Sequence, residues 1–206
     1  MRKIGRAVVV LGALLVACGA WGQSTETPWR YSASVSHYDV PSSQDYWNPI
    51  VTADRGRVHL EGRYNYLSLD SGSFWAGANF NTGKTWMFDA TVMAGIVIGS
   101  VQGVGPGYEL SLRRSWFSLL SQGEYVFDIQ DEVDDLAYNW TELSGSPASW
   151  CRLGLAVQWT NAPTAARDVQ RGIVAAFNYK RFGFEVDVLD PDRDDVTYIL
   201  TATVPF

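Results

Sequence analysis

His59 and Glu61 stand two residues apart in the run Arg57-Val58-His59-Leu60-Glu61-Gly62-Arg63. In an extended chain, side chains at that spacing share a face about 6–7 Å apart, close enough for an imidazole and a carboxylate to share a proton. A hydrolase needs more: a positioned nucleophile, or a second carboxylate near the attacked bond. Ser68 lies nearby but in no motif. His59 and Glu61 are therefore the weak catalytic candidates, and a structural histidine bonded among Arg57, Glu61 and Arg63 is the competing reading.

Other groups that could carry chemistry are sparse. His37 and His59 are the two histidines of the chain, which excludes a His-rich metal site. Asp131, Glu132, Asp134 and Asp135 form one acidic segment, and Asp190, Asp192, Asp194 and Asp195 another. These offer oxygen ligands of the kind calcium or magnesium uses, yet neither has the regular Asp-x-Asp-x-Asp-Gly spacing, so solvated surface charge is expected. Gly103-Val104-Gly105-Pro106-Gly107 lacks the Lys-Ser/Thr of a phosphate loop and reads as a turn. No metal and no cofactor is expected.

The elements that would position these groups begin after residue 22. Arg2, Lys3 and Arg6, the apolar stretch 7–16 and the small residues around Ala20-Trp21-Gly22 form the three parts of a secretory signal. We assign 1–22 to that signal and 23–206 to one domain. Leu15-Val16-Ala17-Cys18 also resembles the lipobox of bacterial lipoproteins, which makes Cys18 a lipidation candidate. Removing 1–22 takes away three of the 16 basic residues and none of the 22 acidic ones, so the net charge moves from -6 to about -9. Nucleic acid is excluded as a partner on that charge. Cys151 is then left without an intrachain partner, so no disulfide staples the domain.

The mature chain alternates with period two, the pattern of strands with one apolar face. Val196, Tyr198, Leu200, Ala202, Val204 and Phe206 share one face, with Thr197, Thr201 and Thr203 on the other. Val58, Leu60, Gly62, Tyr64 and Tyr66 alternate with Arg57, His59, Glu61, Arg63 and Asn65. The run from Trp86 to Ile98 does the same and is long for a globular strand. Further strands are expected over 29–38, 74–80, 107–113, 117–128, 136–141, 151–159, 172–180 and 182–188. An even count requires one more, and 46–52 is the candidate despite Pro49, which is unwelcome inside a sheet. Ten strands is the alternative. Short turns are expected at 53–56, 81–84, 114–115, 144–149 and 180–181, alternating with the generally longer 41–45, 100–106, 129–135, 160–168 and 189–195; 70–73 is short.

A soluble barrel or sandwich would also give each strand an apolar face. The composition of the second face distinguishes them: Arg57, His59, Glu61, Arg63, Asp89, Glu109, Arg113, Glu124, Arg152, Glu185 and Asp187 suit a hydrated lumen. Aromatic residues cluster on the apolar face near strand ends, including Tyr31, Tyr64, Tyr66, Phe74, Trp86, Tyr138, Trp140 and Trp159, as in interfacial girdles. Cys151 is read as a small outward-facing hydrophobe.

The last strand, with Tyr198, Leu200, Val204 and the terminal Phe206, resembles the closing strand of small Gram-negative outer-membrane β-barrel proteins, which the assembly machinery reads; Pro205 departs from the ideal pattern. The resemblance covers about ten residues and implies an all-β, transmembrane, antiparallel up-and-down barrel in the outer membrane. Outer-membrane lipids, lipopolysaccharide and the barrel assembly machinery are the partners it implies; the acidic loops would bridge lipopolysaccharide phosphates through divalent ions. The expected function is a narrow pore for small polar solutes or a wall element. A hydrolase centred on His59 and Glu61 and an adhesion module acting through acidic loops are the alternatives. Oligomeric state is left open.

Overall fold

A computed structural model describes residues 27–41, 43–66, 68–130, 135–161 and 168–206. The segment 1–22 expected to be a signal, Cys18 within it, Asp131, Glu132 and Asp134 lie outside the described residues. Twelve strands run in chain order: β1 (Arg30–Asp39), β2 (Tyr46–Arg55), β3 (Val58–Tyr64), β4 (Ser71–Thr82), β5 (Met87–Gly99), β6 (Gly103–Arg114), β7 (Phe117–Asp128), β8 (Leu136–Ala148), β9 (Cys151–Asn161), β10 (Asp168–Tyr179), β11 (Phe182–Leu189) and β12 (Thr197–Pro205). Each pairs antiparallel with its sequence neighbours, and β1 pairs with β12, so the sheet is a closed barrel. Twelve strands, not ten, form the wall.

Pro49 is tolerated because the β2–β3 ladder begins at Ile50, paired with Arg63; at Pro49 only β1 is alongside, through Val35. Three turns need one left-handed residue each, as tight hairpins do. Gly56 (φ 59°) supplies it between β2 and β3, Ser115 (φ 51°) between β6 and β7, and Lys180 (φ 55°) between β10 and β11. These turns and both described termini lie at one end of the barrel, and the longer connections lie at the other.

Three expected turns are largely strand. Residues 53–55 close β2. The glycine run 103–107 opens β6, because Gly105 pairs with Gly95 and Gly107 with Met93. The segment 144–149 belongs mostly to β8, which continues to Ala148 across a register shift between Gly145 and Ala148. That irregularity absorbs Pro147 where a regular ladder could not.

Pairing also fixes the faces, since partners directly opposite project to the same side. Phe74, Phe80, Ile96, Ile98, Leu153, Leu155, Ile173, Phe184 and Leu200 are exposed on the outside. Inside lie two apolar clusters, one of Trp75, Met93, Val97, Val126 and Leu136 and one of Trp140, Ala156, Val174, Leu189 and Ile199. Tyr138 and Trp140, expected in the outer girdle, therefore face inward. In β8 the outer face carries Asn139 and Thr141, so the more apolar face is the inner one. Trp75 is completely buried in the lumen because glycines make room for it: a Cβ at Gly95 would lie 2.3 Å from its ring, and one at Gly107 would lie 3.0 Å away.

Candidate functional site in the barrel lumen

The lumen charges come from every other residue of the strands, which is why a polar alternation in sequence becomes a polar interior. On β3, His59, Glu61 and Arg63 are all buried. His59 Nδ1 lies 2.9 Å from Asp54 Oδ1 on the neighbouring β2, and its Nε2 lies 3.2 Å from Glu61 Oε2. Asp54 also accepts from Asn79 Nδ2 at 2.6 Å, and Asn79 Oδ1 accepts from Thr91 at 2.7 Å.

Arg63 continues the chain. Its Nε donates to Glu61 Oε1 at 2.7 Å and its Nη1 to Glu124 Oε2 at 2.9 Å. Glu124 is on β7, four strands along the wall from β3, so this contact spans the lumen. Glu109 on β6 lies 3.9 Å from the same guanidinium. The flat face of the guanidinium sits 4.4 Å from the Tyr66 ring centroid and 5.3 Å from that of Trp75, which shields the ion pairs from water. Tyr66, expected outside, projects into the lumen from the β3–β4 connection: its hydroxyl accepts from Gln122 Nε2 at 3.0 Å and its ring meets Tyr138 edge-on at 5.3 Å.

A second charged group centres on Arg152, which bonds both Glu142 on β8 and Glu185 on β11. Asp187 is buried on β11, two residues from Glu185 on the same face. Arg113 pairs with Asp89 at 2.7 Å near the turn end, where both are substantially exposed.

Of the residues picked from sequence, His59, Glu61, Arg63, Glu109 and Glu124 come together in one network, and Arg152 and Glu185 in another. Arg57 does not reach the lumen: it occupies the β2–β3 turn with its guanidinium 5.7 Å from the outward Phe80 ring. Ser68 is at the loop end, bonded to Ser100 Oγ at 3.2 Å, and does not meet His59. With both ring nitrogens held by carboxylates, His59 has none with which to take a proton from a nucleophile. Asp190 is not solvated loop charge but is buried, accepting from Arg171 N at 3.1 Å and Arg193 Nη1 at 3.1 Å. Sequence reasoning missed Asp54, Tyr66, Trp75, Tyr138, Trp140 and Glu142. The β8 residues were recoverable from Glu142 and Ser144, which share a face with Trp140.

The chain superposes on a KdgM porin with a TM-score of 0.59 at 10% identity, covering 85% of this chain and 99% of that one. A second KdgM porin structure, in complex with disordered oligogalacturonate, gives 0.58 at 9% identity over 85% and 99%. The fold is that of a small outer-membrane β-barrel. No family model matches this sequence, and no curated protein does. At these identities the porin-like likeness concerns architecture, and the lumen residues have to speak for the function.

Proposed function

We propose that this chain is an outer-membrane barrel whose lumen is sealed, so that it serves as a wall element and not as an open solute channel. The observation that carries the reading is the Arg63–Glu124 ion pair, which joins strands β3 and β7 through the lumen. Tyr66, Gln122 and Tyr138 brace it, and the two apolar clusters occupy further lumen space. The apolar outer surface supports the membrane placement, because hydrocarbon accepts exposed Leu, Ile and Phe at no cost. The signal-like residues 1–22 supply the export step.

Oligogalacturonate, held by the similar porin, is a polyanion. Here Glu61, Glu109 and Glu124 surround the single Arg63, and Glu142, Glu185 and Asp187 surround Arg152. Such a lumen repels polyanions, so that cargo is not carried over. The same surplus favours a second reading, a narrow cation pathway. Glu124 Oε1 and Asp187 Oδ1 are buried and hydrogen-bond no protein group, leaving acceptors that a hydrated cation could use.

Conductance in planar bilayers tests both. The native protein is expected to be silent, and a variant carrying Arg63→Ala with Tyr66→Ala is expected to conduct. A steady, cation-selective current through the native protein would overturn the sealed wall in favour of the cation pathway.

A further inference from the structure

The charged residues outside the lumen are sorted by end. At the turn end five cations rest on aromatic rings: Arg55 on Trp29 at 6.0 Å, Arg57 on Phe80 at 5.7 Å, Arg114 on Trp86 at 5.1 Å, Lys180 on Tyr179 at 5.3 Å and Arg181 on Phe182 at 5.4 Å, each measured to the ring centroid. All five cations and all five rings are exposed. The rings belong to the outer face: Phe80 shares it with Phe74, Tyr179 and Phe182 share it with Phe184, Trp86 meets Phe117 edge-on, and Trp29 stacks on Tyr31. Arg30, Lys84 and Arg113 stand at the same end, where the acidic side chains among the described residues are Asp54 and Asp89, already engaged by His59 and Arg113. The loop end is the reverse. Asp39, Asp45, Asp70, Asp192, Asp194 and Asp195 are exposed there, and its basic residues among those described are Arg171 and Arg193, the latter paired with Asp190.

A cation held against the face of a ring keeps most of its N–H donors free for another partner. Arg55 gives one of its own, Nε, to Thr27 O at 3.1 Å. Among the described residues none of the five cations is in an ion pair. Aromatic rings on the outside of a membrane barrel settle at headgroup level, which puts these five cations at the height of the lipid phosphates. We propose that the turn-end rim is a belt that binds the phosphates of anionic phospholipids in the leaflet on that side, and this rests on the outer-membrane placement above but not on the sealed lumen. Charge decides the class of lipid. A zwitterionic headgroup brings its own ammonium to the same height, whereas phosphatidylglycerol presents a phosphate with no cation to compete for it. Four of the five belt cations are Arg, whose planar fork fits two phosphate oxygens. The exposed aspartates of the loop end repel the same headgroup, so the attraction is confined to one side of the barrel.

Quenching of tryptophan fluorescence by brominated lipids tests this, since Trp29 and Trp86 lie in the belt. For folded protein in phosphatidylcholine vesicles, brominated phosphatidylglycerol is expected to bind about threefold or more tightly than brominated phosphatidylcholine at low salt, and the two to become equal in 1 M sodium chloride, where the Debye length is about 3 Å. Arg55→Gln, Arg57→Gln, Arg114→Gln, Lys180→Gln and Arg181→Gln together should abolish the low-salt preference, while Arg171→Gln at the loop end should keep it. The heat-dependent shift in gel mobility, which marks a folded barrel, is followed for each variant. Equal quenching of the native protein by the two lipids would overturn the proposal without recourse to any variant. So would a preference that survives in the folded five-site variant, or one that disappears with Arg171→Gln. Loss of the preference in inorganic phosphate but not in sodium chloride of equal ionic strength would overturn it too, by showing a site for soluble phosphate. A chain that stays soluble and does not enter vesicles would remove the membrane placement and this proposal together.

Discussion

Arg63 on β3 and Glu124 on β7 meet at 2.9 Å although their strands share no ladder hydrogen bond. The contact ties together two stretches of wall four strands apart, with Glu61 holding the other side of the same guanidinium at 2.7 Å. A charge in this setting is tolerable only while its partners are present.

Arg63→Met is expected to lower stability by about 3–5 kcal/mol, since it leaves the buried Glu124 without its cation and Glu61 with His59 alone. Urea unfolding of vesicle-inserted protein measures this. Combining Arg63→Met with Glu61→Gln and Glu124→Gln should recover part of the loss, and a triple variant no more stable than Arg63→Met would refute the charge explanation.

Tyr66→Ala alone should leave the fold intact and admit ions transiently. The ring lies between Arg63 and Tyr138, and its removal breaks the bond to Gln122 without stranding a charge. Brief current steps in planar bilayers, absent from the native protein, are the expected record.

Trp75 and Gly95 should be coupled. Trp75→Ala empties a large lumen volume and is expected to cost about 3–5 kcal/mol. Gly95→Val places carbon where the indole lies and is expected to cost about 1–3 kcal/mol. The double variant should lose less than the sum, because the new side chain refills part of the space; strict additivity in a double-mutant cycle would contradict the packing described.

Deleting Phe206 should cut the amount of barrel in the outer membrane several-fold. Its N–H donates to Tyr31 O at 2.9 Å, its carbonyl accepts from Tyr31 N at 3.2 Å, and the two rings stack at 5.9 Å. Quantifying heat-shifted protein in outer-membrane fractions checks this, with His59→Ala as the variant expected to assemble normally.

Much of the architecture was readable from alternation. In β12, β3 and β5 the two faces differ so sharply in polarity that spacing alone separates inside from outside. In β8 both faces are mixed, Tyr138 and Trp140 against Asn139 and Thr141, and alternation points the more apolar face outward although it packs the lumen. The glycines of β6 look like a turn because glycine weakens strands; here Gly107 makes room for Trp75, a partner distant in sequence, while a Cβ at Gly103 or Gly105 would meet Val126 or the Tyr125 carbonyl on β7. Tyr66 continues the β3 alternation in sequence, but the strand ends at Tyr64 and the chain turns over the rim there. The proton-sharing pair at His59 was legible as a spacing, but its second carboxylate, Asp54, lay in a segment expected to be a turn.

The seam between β1 and β12 has a kinetic side. It joins residue 32 to residue 205, nearly the full length of the described chain, and no other ladder in the wall spans more than neighbouring hairpins. Until the final strand is delivered, β1 presents a bare row of amides and carbonyls, and so does whichever strand is last in place. Closure is thus the longest-range step of assembly, and an unfinished chain carries two unpaired strand edges.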